Sequence, residues 1–370
     1  MMSAISTDTE RPLRIVELGG TGLFFVTHPA TTTLLWTGEE DPPQPFPDNL
    51  GEFNLAAGWR LLRDARRGAV DLVVAYFPTR HPPWHWRPLR SLVHRPFAPW
   101  RRLVRLFGMQ ALRLLPRAVP IFVVDFDDMR TIARHNLFLL DRCKYYFKRE
   151  LPIDRWQVFQ GTAHPVMPST RFRARARNRR RIETIYPWAI GFSSDQPRLP
   201  EASFPEKTID VFVATGLNSA TARIQGLTEL KALAAQGVRI FFPESRLPHD
   251  EYMRVMSQSW ITWSPEGFGW DCIRHYEAPA AHSVPLMNRP TIVRCRPMME
   301  GTHALFYDAD LPGSLAQVIR EALRDPARLK TMALAARQHV AEHHLRPWSQ
   351  SDALLRYARG VEQPPGGIRM

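Results

Sequence analysis

An α/β fold in two domains is predicted by three features of the chain. Its 370 residues exceed what one hydrophobic core ordinarily organises. Its C-terminal half alternates short apolar runs with segments of helical periodicity, the order that builds a parallel sheet covered on both faces. A proline-rich stretch, 189–208 (AIGFSSDQPRLPEASFPEKT), sets that half apart from the one before it. The expected division is therefore 1–188, a linker at 189–208, and 209–370, with the last helix able to return to the first domain.

The elements follow in chain order. In the N-terminal half, 13–18, 33–36, 70–76 and 119–124 read as strands, and 129–148 reads as a helix. After the linker, 209–214 is a strand and 222–236 a helix closed by Gly237, a favoured residue just past a helix end. A strand at 238–242 stops at Pro243. Asp250 can cap a helix running to about 259, and 260–263 is a third strand. The loop 264–270 leads to a helix expected from Asp271. Short strands at 284–287 and 304–307 follow, then helices at 314–324, at 327–344 and after Pro347. Parallel sheets of this kind bind ligands at the carboxyl ends of their strands.

Composition narrows the class. Hydrophobic residues make up 44% and charged residues 23%, a globular balance. No apolar run reaches 18 residues, and the start, MMSAISTDTERP, lacks the features of a secretory signal. Cys143, Cys272 and Cys295 are far apart and show no metal spacing, which points to a reducing, cytoplasmic compartment. The net charge of +13 is concentrated: 81–117 holds eight arginines and 171–181 seven, neither segment with an acid. Those fifteen charges exceed the total, so the remainder is close to neutral. Within the first segment, 98–115 reads as a basic amphipathic helix near Trp84, Trp86 and Trp100, suited to the anionic inner face of a membrane. The same pattern fits a helix packed on its own domain. The second segment suits an anionic acceptor such as a lipid diphosphate, or is a surface loop. Apart from Phe172 it lacks interleaved aromatics, which argues against single-stranded nucleic acid.

The densest chemistry lies in Ser264-Pro-Glu266-Gly267-Phe-Gly269-Trp-Asp271, followed by Arg274, Glu277 and Val284-Pro-Leu. A strand ends, a loop with two glycines turns, and a helix begins. Helix-start N–H groups attract anions, and glycines let a phosphate approach the backbone. On a helix, Asp271, Arg274 and Glu277 would share one face. Arginine pairs bidentately with phosphate oxygens, and a carboxylate accepts from a ribose diol. The plainer reading is an ordinary strand–loop–helix with a surface Arg–Glu pair.

On these residues the segment 209–360 resembles the nucleotide-sugar domain of glycosyltransferases with two facing Rossmann-like domains, the GT-B type, nearest the bacterial group 1 and exostosin-like groups. PEGFGWD…RHYEA…VPLM is similar to their loop–helix–strand signature. EGTHALFYD with LAQVIREALRDPARLKTMALAAR is similar to their closing strand and paired helices. ATGLNSATARIQGLTELKAL, which holds Gly216 and Arg223, is similar to their first strand and helix. The resemblance implies metal-independent transfer of a sugar from a nucleotide-sugar donor to a glycan or lipid-linked acceptor, without a cofactor. It implies Arg223 and Arg274 on the diphosphate, Glu277 on the ribose, and Gly267 and Gly269 shaping the loop. Two departures stand out. Glu266 and Glu277 have ten residues between them where retaining group 1 enzymes have seven, and Ser283 precedes Val-Pro where glycine is usual.

The N-terminal half offers candidates for the acceptor side. Asp125 and Asp127, after the apolar 121–124, are candidate general bases; the plainer reading has Asp127 or Asp128 capping the helix that follows, and Asp125-Phe-Asp127 also matches a metal-binding Asp-x-Asp. Gly19-Gly20-Thr21-Gly22 follows a strand but is a poor dinucleotide fingerprint, since Phe25 stands where a third glycine belongs. His339-Val-Ala-Glu342-His343 matches an inverted zinc-protease motif inside an expected helix. Against the transferase stand a non-catalytic scaffold holding nucleic acid or anionic lipid through its arginines, and a metal-dependent enzyme using Asp125 and Asp127.

Overall fold

The computed structural model describes residues 11–37, 49–76, 110–160, 176–201, 203–213 and 221–367. Most of the arginine-rich stretch 81–117, the residues 171–175 and Gly216 lie outside them, so the amphipathic-helix reading of 98–115 does too.

The N-terminal sheet begins with β1 (Ile15–Gly19), a short helix α1 (Phe24–Thr27), β2 (Thr32–Trp36) and β3 (Leu50–Glu52). Helix α2 (Leu55–Arg66) is capped by the Asn54 side chain, which accepts from Ala57 N at 2.8 Å. Then come β4 (Leu72–Tyr76), β5 (Ile121–Asp125), β6 (Tyr145–Lys148), α3 (Ala176–Glu183) and β7 (Ile185–Pro187). The described strands lie in the order β3-β2-β1-β4-β5-β6-β7, every pair parallel. The helix expected over 129–148 is a correction. Residues 134–141 make a tight 3-10 helix, and Tyr145–Lys148 is a fully buried central strand. A short apolar run of this kind carries no period that separates strand from buried helix.

Alternation along the central strands makes the core two-sided. Val73, Ala75, Ile121 and Val123 face one layer with Leu61 and Leu62 of α2. Leu72, Val74, Phe122 and Val124 face the other. All eight strand residues are fully buried, and each of the seven larger than alanine stabilises the fold by about 1.5–3 kcal/mol relative to exposure.

After the two-residue strand β8 (Phe192–Ser193), a second sheet forms from β9 (Ile209–Val213), α4 (Thr221–Ala235), β10 (Ile240–Phe241), α5 (His249–Ser257) and β11 (Ser259–Trp263). It continues with α6 (Arg274–Ala280), β12 (Val284–Asn288) and β13 (Leu305–Tyr307). Its order is β10-β9-β11-β12-β13, again all parallel. Helices α7 (Ser314–Leu323) and α8 (Pro326–His343) close it. The chain then recrosses through β14 (Leu345–Arg346), paired with β8. Helix α9 (Trp348–Arg359) packs Leu354 and Tyr357 into the second layer of the N-terminal sheet, Tyr357 stacking on Phe147 at 5.8 Å. The strand order reverses between β9 and β11, and their ends align, Trp263 opposite Val213. A doubly wound sheet opens its ligand crevice at such a switch point.

Gly226 sits inside α4, where alanine would be the better helix former by about 1 kcal/mol. A Cβ there would stand 2.3 Å from Trp263 Cζ2, and Trp263 is fully buried with its indole N–H donated to Tyr307 Oη. Overpacking should outweigh propensity. Gly226→Ala is expected to lower stability by roughly 1–2 kcal/mol in a urea unfolding series; a gain would show that the helix shifts freely off the indole.

Candidate active site at the carboxyl ends of the strands

Past the end of β11, the loop 264–270 is held in shape from behind. Ser264 Oγ donates to His275 Nδ1 at 2.7 Å, because His275 Nε2 must donate to the Trp270 carbonyl at 2.8 Å. Burial drives the His275 pKa down to about 3, so the ring stays neutral. Glu266 N donates to Asn288 Oδ1 at 2.8 Å, and the Trp270 indole donates to the Asn288 carbonyl at 3.0 Å. Ser264 is therefore a brace beneath the loop.

The loop's first half carries the two expected arginines. Arg223, in the first turn of α4, donates from Nε to the Glu266 carbonyl at 2.9 Å. Arg274, which opens α6, donates from Nη2 to the Pro265 carbonyl at 3.0 Å, and its buried Nε has no hydrogen-bond partner. The two guanidinium groups thus converge on the same short turn. Burial, and then the charge of Arg274, push the Arg223 pKa down, and the Glu266 carboxylate opposes both. Gly267 allows this approach: a Cβ there would lie 3.1 Å from Arg223 Nη2. Phe268 at the loop tip is 77% exposed. One helical turn beyond Arg274, Glu277 is buried and accepts from Tyr252 Oη at 3.1 Å; burial raises its pKa. The structure brings together Arg223, Glu266, Gly267, Arg274 and Glu277.

It separates Asp271 from them. The helix expected from Asp271 starts at Arg274, so Asp271, Arg274 and Glu277 do not share a face. Asp271 turns inward, accepting from Ile190 N at 2.7 Å and Tyr276 Oη at 2.5 Å. Arg149, just past β6 of the other sheet, donates from Nε to its carbonyl at 3.1 Å and lies 3.4 Å from its carboxylate. The expected anion site of backbone amides is likewise closed. Glu150 accepts from Trp270 N at 2.9 Å and Asp271 N at 2.8 Å, and a Cβ on Gly269 would lie 2.5 Å from its carboxyl carbon. Gly269 admits a protein carboxylate, not a phosphate. Burial, reinforced by the Asp271 charge, pushes the Glu150 pKa up to about 7. No local pattern marks Glu150, because its partners lie 120 residues on.

On the acceptor side, Asp125 is fully buried. It accepts from Tyr146 Oη at 2.8 Å, Lys148 Nζ at 3.0 Å and Asp127 N at 3.0 Å. These bonds occupy both its oxygens, an arrangement suited to anchoring β5 to β6 rather than abstracting a proton. Asp127 is also buried and accepts from Met129 N at 3.3 Å, the turn-capping role. Gly19 to Gly22 wrap around the buried Glu17, which accepts from Leu23, Phe24 and Phe25 N. In the second basic segment, Arg177 and Arg181 pair with Asp141 at 2.7 and 2.5 Å. His339 donates to the Arg296 carbonyl from within α8, with His343 edge-on beside it. Among the described residues no group of three His, Cys, Asp or Glu side chains is placed to hold a metal ion.

Two parallel sheets that meet past the carboxyl ends of their strands, with the last helix returning to the first sheet, define the GT-B architecture. Solved structures match it over nearly the whole chain. A glycosyltransferase from Rickettsia africae aligns with a TM-score of 0.52 at 11% identity, covering 95% of this chain and 100% of its own. The Anabaena protein HepE in complex with UDP aligns at 0.51 and 13% identity, covering 93% and 99%. At such identities the likeness is one of fold. No family model and no curated protein matches the sequence.

Two predictions follow from the buried charges. Asp125→Asn strands the Lys148 ammonium and is expected to cost about 3–5 kcal/mol in urea unfolding; an unmoved midpoint would contradict the anchoring role. For Glu150 the folded pKa lies above the usual carboxylate value, so its contribution to stability is full below about pH 4.5 and is lost as pH rises through about 7. Glu150→Gln keeps an amide-accepting oxygen and removes the charge. Its melting temperature should fall less than the wild type's between pH 5 and pH 8.

Proposed function

We propose that the chain is a glycosyltransferase that takes a sugar from a nucleoside diphosphate sugar. The observation carrying this reading is the convergence of Arg223 and Arg274 on the Pro265–Gly267 turn at the strand-order switch. Two guanidinium groups held this close are stabilised by an anion, and a diphosphate supplies one that both can grip. Glu277, one helical turn from Arg274, is spaced to accept from a ribose diol. Tyr252 fixes one of its oxygens and leaves the other for ligand. The fold neighbours support the same reading: one is a glycosyltransferase, and the other holds UDP.

During transfer the negative charge grows on the departing diphosphate, so the arginine pair would act most strongly in the transition state. A glycan or lipid-linked acceptor would enter from the N-terminal sheet. UDP is the first nucleotide to test, with GDP, ADP and TDP beside it. Binding to the native state raises the melting temperature, and the rise grows with the logarithm of ligand concentration over Kd.

Arg223→Ala and Arg274→Ala should each weaken diphosphate binding by about 10- to 100-fold, the loss of one or two charge-assisted hydrogen bonds. Glu277→Ala should weaken nucleoside diphosphate but leave inorganic pyrophosphate unaffected. Turnover of the matching nucleotide sugar should survive chelator. Wild-type affinity in both arginine variants, or no shift with any nucleotide, would remove the assignment.

A further inference from the structure

The outward face of α2 stands apart from the donor site and is unusual for a folded surface. Leu55 and Trp59 are each 65% exposed, although the inner face of the same helix is buried through Ala57, Leu61, Leu62 and Ala65. At 100° per residue, Leu55, Trp59, Arg63 and Arg66 lie within an arc of about 80°, and Arg60 and Arg67 flank it. Trp59, Leu62, Arg63, Arg66 and Arg67 line an open groove of about 250 Å³. The acid here is Asp64, 3.1 Å from Arg63, so the helix and its cap carry a clear positive excess.

A water-exposed indole and an isobutyl group in one stripe with arginines match a bilayer interface. The ring and the leucine enter the headgroup boundary, and the guanidinium groups meet lipid phosphates. A phosphodiester duplex offers no counterpart for Leu55, and a neutral protein patch none for four arginines. We infer that this face of α2 docks on an anionic lipid bilayer.

Topology gives the docking a consequence. α2 follows directly from the carboxyl end of β3, so Leu55 lies at the level of the cleft and Trp59 about 6 Å below it. A bilayer on this face would flank the N-terminal sheet at its β3 end, with the first turn of α2 level with the strands' carboxyl ends, a side from which a lipid-linked acceptor could be supplied. Membrane docking is measurable without any donor, so its outcome is separate from that of the sugar-transfer reading.

The test is flotation of the full-length protein with phosphatidylcholine vesicles, with and without 30% phosphatidylglycerol. The intact chain should float with the anionic vesicles and release as salt is raised. Leu55→Ser/Trp59→Ala should weaken partitioning at least tenfold, and each of Arg60→Ser, Arg66→Ser and Arg67→Ser by about fivefold. These residues are exposed, so melting temperatures should hold. Three outcomes overturn the inference. One is failure of the wild type to float with anionic vesicles. The α2 variants may float like the wild type, which assigns any binding to another segment. Or double-stranded DNA may compete the protein off vesicles in a manner that the Leu55/Trp59 variant leaves unchanged, which makes the face a nucleic-acid surface.

Discussion

A single buried carboxylate, that of Glu150, decides how the two sheets meet. It leaves the end of β6, crosses to the other half and accepts the N–H groups of Trp270 and Asp271. Taking a carboxylate out of water costs several kcal/mol unless hydrogen bonds and opposite charge offset it. Here two amides do so, and Arg149 adds charge at 3.9 Å while also tying Asp128 to Asp271. The contact forms because Gly269 has no side chain; a Cβ there would lie 2.5 Å from the carboxylate, well inside van der Waals contact. Once it forms, residues 271–273 are held as a turn, α6 starts at Arg274, and Asp271 points into the interface.

The same device recurs at the front of the N-terminal sheet. Glu17 accepts the amides of Leu23, Phe24 and Phe25, with Tyr76 Oη as a further donor. The glycine-bearing loop that the sequence offers as a phosphate cradle, and the weaker glycine run after β1, are thus both filled by the chain's own acids. Any anion recognised here would then be held by side chains rather than by backbone dipoles. The difference is physical: an amide set supplies fractional charge and is satisfied by one carboxylate, whereas two guanidinium groups carry full charge at every accessible pH. A ligand with two or more negative charges is the natural complement of the second arrangement.

These facts explain what was legible in the sequence. The strands β9, β11, β12 and β13 and the helices α4, α7 and α8 are readable within two residues. Their periods are clean, and Gly237, Pro243 and Pro347 punctuate them. Arg274 and Glu277 are readable together because one contiguous motif carries them, whereas Arg223, far upstream, enters only through the resemblance of its own segment to the family's first strand and helix. Asp271 misleads for the same reason: helical spacing places it beside Arg274, and only a partner from the other sheet turns it away. Glu150 and Arg149 are invisible locally, two charged residues after YYFK with no pattern around them. Strand β6 is missed because a buried central strand has no alternation to show. Asp125 reads as a free acid at a strand end until Tyr146 and Lys148, on the neighbouring strand, are seen to fill it.

The loop 264–271 therefore belongs to two systems at once. Its first half is gripped by Arg223 and Arg274, and its second half by Glu150 and Arg149. Only Gly267, Phe268 and Gly269 separate them, and Gly267 N donates to the Gly269 carbonyl across that gap. A displacement at one end is carried to the other through this short closed turn. Binding free energies at coupled sites are reciprocal. Were a diphosphate to bind the arginine end as proposed, any strengthening of the sheet contact by the ligand would be matched by an equal strengthening of ligand binding by that contact. Protonation enters the same balance, since the Glu150 pKa is pushed up to about 7. A methyl group added at Gly269 would displace the Glu150 carboxylate, and with it the second half of the turn whose first half Arg223 and Arg274 hold.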